Sequence, residues 1–223
     1  MPSETWIDSG KTITPAKMDL ALAWVKENRE TVIGAIVITL AVGIFATYFF
    51  LHYRELRETA WKNLFIAQQT GYGGNMAQAQ TMLTEIEVTY ARTTAAPYAT
   101  LTKGDMFYAQ GNFKDAGAQY AKITAAPKNL APFAIYNLGK CKEAEGDLAG
   151  AQAQYADLLA KYPEHFMTPE AHYALARTQE ASGSKDLAKA SYEKIVLLYP
   201  ETSWAAQAKA RLTAGEQKVQ PKK

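Results

Sequence analysis

Gly146-Asp-Leu-Ala-Gly-Ala-Gln-Ala-Gln-Tyr155 decides the fold, because the chain writes its pattern three times. Its core, Ala151-Gln-Ala-Gln-Tyr155, returns as Ala116-Gly-Ala-Gln-Tyr120 and Ala188-Lys-Ala-Ser-Tyr192, with starts 35 and 37 residues apart. Each copy follows a turn pair that begins five residues earlier: Gly111-Asn112, Gly146-Asp147 and Gly183-Ser184. Each unit opens on a proline, at Pro97, Pro132 and Pro169, with the same two spacings. Pro163 and Pro200 close the last two units, both inside Tyr-Pro-Glu. A fixed period of this length marks a repeat architecture.

The residue types explain the pattern. Proline suits a first helical turn, where its missing N–H is no loss. Glycine admits the positive φ of a tight turn between helices. The paired alanines allow close helix packing, and the tyrosine four residues after the first alanine lies on the same helical face. Each unit is therefore one helical hairpin, which must stack on its neighbours to bury that face.

This arrangement resembles the tetratricopeptide repeat, which pairs Leu-Gly in a first helix with Ala, an aromatic and Pro in and after a second. The clearest copy is Leu138-Gly139, Ala151, Tyr155 and Pro163; the next keeps Leu175-Ala176, Ala188, Tyr192 and Pro200. An earlier unit has Lys103-Gly104, Ala116 and Tyr120, with Pro127 slightly early. A degenerate first unit is read from Trp61, Leu64, Gly73-Gly74 and Ala77, without an aromatic at Thr81. The resemblance covers about 55–200, and a final helix over 203–213 is expected to cap the stack.

Residues 31–51 read TVIGAIVITLAVGIFATYFFL, without a charge. At about 1.5 Å per residue the run spans about 30 Å, the thickness of a bilayer's hydrocarbon core. Charges bound it, Glu27, Arg29 and Glu30 before and Arg54, Glu55 and Arg57 after, and Trp24, Tyr48 and Tyr53 stand near its ends. Aromatic rings favour that interface. A cleavable signal peptide fits poorly, because the run is long and Glu4, Asp8, Asp19, Glu27 and Glu30 precede it. A retained transmembrane helix is expected. Flanking cations, Lys11, Lys17, Lys26 and Arg29 against Arg54, Arg57 and Lys62, leave orientation open. Ala35, Thr39, Gly43 and Thr47 recur every four residues as a stripe on which another helix could pack. No proline or glycine interrupts 44–70, so the span is expected to continue into the first repeat helix.

The fold class expected is thus all-α: one transmembrane helix, then an α-solenoid of tetratricopeptide-like hairpins with a C-terminal capping helix. The division read from the sequence is 1–30 as a tail with a short helix over 19–30, 31–53 as the membrane helix, 54–213 as the repeat domain and 214–223 as a flexible tail. Residues 1 to about 16 read as flexible too.

Little points to chemistry. The formal net charge of +2 and the absence of a basic block beyond Lys222-Lys223 argue against nucleic acid. A single cysteine, Cys141, excludes an internal disulfide and reads as a small core residue. His165 and His172, with Glu164 and Glu170 near them, are too few and too scattered for a metal site. His52 stands alone. Gly71-Tyr-Gly-Gly74 lacks the Lys-Ser/Thr of a phosphate loop and reads as a hairpin turn. No enzyme, cofactor or metal is expected.

The layout carries a second resemblance. A tail ending in Trp24-Val-Lys-Glu-Asn-Arg29, a lone span with spaced glycines, Tyr53-Arg54 and an Ala-rich helix over 59–69 are similar to the bacterial ancillary subunit of the Sec translocon. That resemblance implies an inner-membrane protein with a cytoplasmic N-terminus and periplasmic repeats. It also implies SecYEG, a membrane-anchored periplasmic chaperone and unfolded clients as partners. A scaffold for another envelope or respiratory complex stays open beside it.

In tetratricopeptide stacks the first helix of each hairpin lines the concave side. Carried onto this sequence, that places Tyr98, Leu101, Tyr108, Phe133, Tyr136 and Tyr173 there, with Lys140 and Arg177 one turn beyond the last two. Aromatic and Arg side chains are favoured in binding hot spots. Two readings are open: a protein-binding groove, or ordinary packing between repeats. A dicarboxylate clamp would need more Lys, Arg and Asn at these positions.

Overall fold

A computed structural model describes residues 15–125 and 127–219, and among them every regular element is a helix. In order these are α1 (Pro15–Glu27), α2 (Arg29–Tyr72), α3 (Met76–Thr89), α4 (Ala95–Ala109), α5 (Phe113–Ala121), α6 (Ala131–Ala144), α7 (Leu148–Lys161), α8 (Thr168–Ala181), α9 (Lys185–Leu198) and α10 (Ser203–Val219). The chain divides into two compact units, Met1–Glu55 and Leu56–Lys223.

In the first unit, the short helix expected over 19–30 begins earlier, at Pro15, and yields at Asn28. Both the backbone N–H of Asn28 and its side-chain amide donate to the Trp24 carbonyl, at 2.9 and 3.0 Å. The residues after it are apolar and exposed, Ile44 at 72% and Phe45 at 69%. α2 is long and apolar enough to cross a membrane.

The second unit stacks four hairpins, the end of α2 with α3, then α4/α5, α6/α7 and α8/α9, and closes with α10. All four turns are built alike. Gly74, Gly111, Gly146 and Gly183 hold φ of 95°, 76°, 82° and 84°. The residue after each glycine donates its N–H five residues back: Asn75 to Thr70, Asn112 to Phe107, Asp147 to Lys142 and Ser184 to Gln179, at 2.8–3.1 Å. This is a Schellman ending, which needs the left-handed residue that glycine supplies. In the first three turns the side chain of that following residue then caps the next helix, while Ser184 makes no such bond. Asn75, Asn112 and Asp147 accept from the N–H groups of Gln78, Asp115 and Gly150.

The first hairpin corrects the phase read from its sequence. Counting five from Gly74, as in the other units, gives Ala79 and then Leu83, both fully buried. Ala77 and Thr81 are instead exposed, and the Thr81 hydroxyl donates to the Ala77 carbonyl at 3.1 Å. Leu83 therefore takes the place that tyrosine holds in the other three hairpins. The last helix also runs past the expected end near Thr213, to Val219. It buries Ala205 and Ala208 against Ile195 and Tyr192. Of the two tails read as flexible, 1–14 and 220–223 lie outside the described residues.

Candidate functional site: the face of the first helices

Between the two helices of each of the last three hairpins, the tyrosine of the repeat pattern is the spacer. Tyr155 is 0% exposed. Its ring lies so close to α6 that a Cβ at Gly139 would stand 2.5 Å from it; at Gly104 the Tyr120 ring would stand 2.6 Å away. At Gly104 and Gly139 the close ring, not the helix, calls for glycine, whereas the fourth hairpin packs Ala176 in the cluster with Tyr192.

Each tyrosine hydroxyl then reaches a carboxylate on the first helix. Tyr120 donates to Asp105 at 2.7 Å, Tyr155 to Glu143 at 3.2 Å and Tyr192 to Glu180 at 3.0 Å. Burial, with help from these carboxylates, pushes all three phenols well above their ordinary range, so they stay protonated donors. Burial likewise raises the Asp105 carboxyl, against the lowering pull of the Tyr120 hydroxyl.

The same carboxylates bind the next repeat. Asn137 donates to Asp105 at 3.3 Å, Arg177 donates to Glu143 at 2.7 Å, and Arg211 lies 3.8 Å from Glu180. A second Arg177 nitrogen also contacts Glu143, so the pair is two-pronged. Further links run from Gln68 to Thr102 at 3.1 Å and from Tyr136 to Glu170 at 2.7 Å. A polar ladder therefore joins first helix to first helix along the stack.

The residues expected to line a groove are engaged to different degrees. Tyr98 is half-buried, its ring 5.0 Å from Trp61 and its hydroxyl accepting from Asn129 at 2.8 Å. Leu101 packs on the cluster around Tyr120. Tyr108 meets Phe113 at 5.1 Å, and the Lys140 ammonium stands 4.7 Å from its ring centre. Phe133 packs against His165 and Phe166 at 5.6 and 5.7 Å. Tyr136 touches Tyr155 at 5.5 Å. Tyr173 is only 9% exposed, between Tyr192 and Trp204 at 5.7 and 5.3 Å. Lys140 and Arg177 both turn to partners in a neighbouring hairpin.

Residues 133–165 and 170–202 match the tetratricopeptide repeat family. Solved structures show the same fold over a larger share of the chain. The TPR-like repeats of a Podosopora anserina chain described as a kinesin light chain superpose with a TM-score of 0.57 at 16% identity, over 72% of this chain and 87% of that one. A tetratricopeptide repeat protein from Parabacteroides merdae superposes at 0.56 and 20% identity, over 72% of this chain and 58% of that one. No curated protein matches the sequence. Tetratricopeptide repeats imply a protein–protein interaction scaffold.

The sequence reading named the tyrosines but missed their carboxylates. The signal was present: Glu143 and Glu180 each follow the small residue, Gly139 or Ala176, by four, and Arg177 and Arg211 are 34 apart. Cys141 is buried beside Ala116 and Tyr120, and burial lifts its thiol to about 11. Such a thiol is a packing group, not a nucleophile. His165 accepts from the Met167 N–H at 3.3 Å and Glu170 from the Tyr136 hydroxyl at 2.7 Å. In the first unit, Ala35 and Thr39 help line an open groove of about 400 Å³ with Trp24, Val32 and Ile36. Thr39 and Thr47 donate to Ala35 and Gly43, both at 2.8 Å, leaving the stripe nonpolar to a neighbour.

Proposed function

We propose that this chain is a single-pass inner-membrane scaffold that holds other proteins near the Sec translocon, with periplasmic chaperones and emerging clients as partners. One observation supports it most: the same chain carries a solvent-exposed apolar helix and, separately, stacked tetratricopeptide-like hairpins. In this reading 1–30 is a cytoplasmic tail, 31–53 the span and 54–219, to the end of α10, the periplasmic interaction domain. Tyr98, Leu101, Tyr108, Phe133 and Tyr136, half-buried on the first-helix face, keep enough surface to meet an extended segment. Tyr173 and Arg177 act mainly by holding that face in shape. The stripe from Ala35 to Thr47 meets a helix of the partner complex.

Proximity crosslinking of the full chain in native membranes, read by mass spectrometry, tests the reading. Translocon subunits and secreted precursors are the expected products. Enrichment of a respiratory or other envelope complex instead would replace the translocon with that assembly. Protease added to spheroplasts is expected to digest residues beyond about 54 and spare the tail; the reverse pattern inverts the topology.

A further inference from the structure

Successive hairpins meet where the first helix of one packs on the second helix of the hairpin before it: α4 on α3, α6 on α5 and α8 on α7. At the last two of these seams a leucine crosses over. The Leu138 side chain of α6 reaches α5, where a Cβ on Gly117 would stand 3.3 Å from it. Leu175 of α8 packs on the cluster of Ala151 and Tyr155 in α7. The same repeat position on α4, one residue before Gly104, is Lys103. Its ammonium also crosses to the preceding helix, but to polar partners, Glu87 at 3.1 Å and the Thr84 hydroxyl at 2.8 Å. The two charged side chains are only 12% and 17% exposed.

A leucine at a seam stabilises it by leaving water. An ion pair at the same place gives up the hydration of both charges, and attraction offsets that loss only when the remaining lone pairs are satisfied. Here they are not. Among the described residues, Glu87 Oε1 is a buried oxygen without a hydrogen-bond partner. Buried polar atoms are nearly always paired, so the closed seam carries a cost that water removes when the seam parts. Other contacts across it can also be exchanged for water. Trp61 donates to the Thr94 hydroxyl at 3.1 Å, Gln68 to Thr102 at 3.1 Å and Gln80 to Gln110 at 3.2 Å. To the apolar cluster shared with the first hairpin, α4 brings the small Ala95 and Ala99 and the adaptable Met106, which lies over Gly71.

We propose that this seam is the hinge of the array. The first hairpin parts from α4 while the three hairpins after it stay closed on one another, and the Lys103–Glu87 pair sets the register to which the seam returns. Each hairpin touches only its neighbours, so opening here leaves the other seams intact. With α2 as the membrane span, the hinge lets the first-helix face of the later hairpins move against the membrane; that consequence rests on the proposed topology, and the hinge itself does not.

The test uses the full chain in detergent micelles, with Cys141→Ala to remove the native thiol and spin labels on paired cysteines. Ala77, Lys114 and Ala149 are exposed, and each stands three residues after the turn glycine of its hairpin. Ala77→Cys with Lys114→Cys spans the first seam, and Lys114→Cys with Ala149→Cys the second. Pulsed electron paramagnetic resonance is expected to give a distance distribution at least twice as broad across the first seam. Replacing the ion pair by Lys103→Leu with Glu87→Leu is expected to narrow it to the width of the second, with helicity kept by circular dichroism. Lys103→Leu alone strands the Glu87 charge and is expected to broaden it further. Equal widths at the two seams in the otherwise unaltered chain, a comparison that needs neither seam variant, overturn the proposal. So does a first-seam width that the folded double variant leaves unchanged.

Discussion

At the scale of single residues, Gly139 and His172 each set two effects against one another. In Gly139→Ala, helix propensity improves by about 1 kcal/mol. The new Cβ, however, would stand 2.5 Å from the fully buried Tyr155 ring, and overpacking of a core costs about 1–3 kcal/mol. The clash wins, so the variant should melt earlier by thermal circular dichroism. With Tyr155→Leu in the background the ring is gone, and the same substitution should become neutral or stabilising. His172 sets a pH dependence. Its folded pKa, about 4, lies below the ordinary value of 6.5. The unfolded chain therefore takes up the proton first as pH falls. This contribution is complete above about pH 6.5 and vanishes below about pH 4, and a shift of this size is worth up to about 3 kcal/mol. Burial lowers this pKa most and Lys194 on α9 adds to that, while Glu164 and Tyr199 are the other titratable groups lining the depression between α8, α9 and the loop after α7, where His172 lies. Melting curves from pH 7 to 4 should fall more steeply for the parent chain than for His172→Leu; parallel curves would remove the histidine from the account.

At the scale of helices and turns, the hairpin is a glycine turn followed by a capped helix, and the sequence made most of that legible. Gly111, Gly146 and Gly183 were visible because each stands five residues before an alanine-rich start. The first hairpin was misread because Gly73 and Gly74 offer two starting points, and because Leu83 fills the tyrosine's place without resembling it. Only the backbone tells them apart: Gly74 has φ +95°, whereas Gly73 continues the helix's hydrogen bonding to Gln69 at 2.9 Å. The boundary at Asn28 was hidden for a similar reason. It is a slight break, through which the i→i−4 bonds of Asn28 to Trp24 and Val32 to Asn28 continue, and it leaves no glycine or proline behind. Positive φ also carries a measurable consequence. Gly146→Ala places a Cβ in open space, so no clash arises, yet the left-handed backbone at +82° costs an L-residue about 1–2 kcal/mol. Lost unfolded-state entropy returns about 0.4–1 kcal/mol. A net loss of roughly 1 kcal/mol should appear in chemical denaturation; a gain would mean that the turn rearranges.

At the scale of the whole repeat unit, stability is a sum of hairpins and of the interfaces between neighbours. The tyrosines and cations of the candidate face were legible from helical spacing, but spacing reports which residues share a face and not which are already taken. Lys140 and Arg177 are aligned with Tyr136 and Tyr173 in sequence, yet each crosses to another hairpin, to Tyr108 and to Glu143. Glu143 is the point where the two kinds of energy meet. It accepts from Tyr155 inside the third hairpin and pairs with Arg177 of the fourth. Glu143→Leu therefore orphans a buried hydroxyl, at about 1–3 kcal/mol, and also cuts a link between neighbours. Arg177 is 44% exposed at its side chain and can return to water, which keeps its own share of the loss small. The damage should be local. Hydrogen exchange of the full chain is expected to show α8, α9 and α10 losing protection while α4 and α5 keep theirs, because the stack can open at the weakened interface without unfolding from the other end. Glu143→Gln retains an acceptor for Tyr155 and should show a smaller loss in the same helices. A uniform fall across all the hairpins would mean that the stack unfolds as one piece and that the ladder does not divide its stability repeat by repeat.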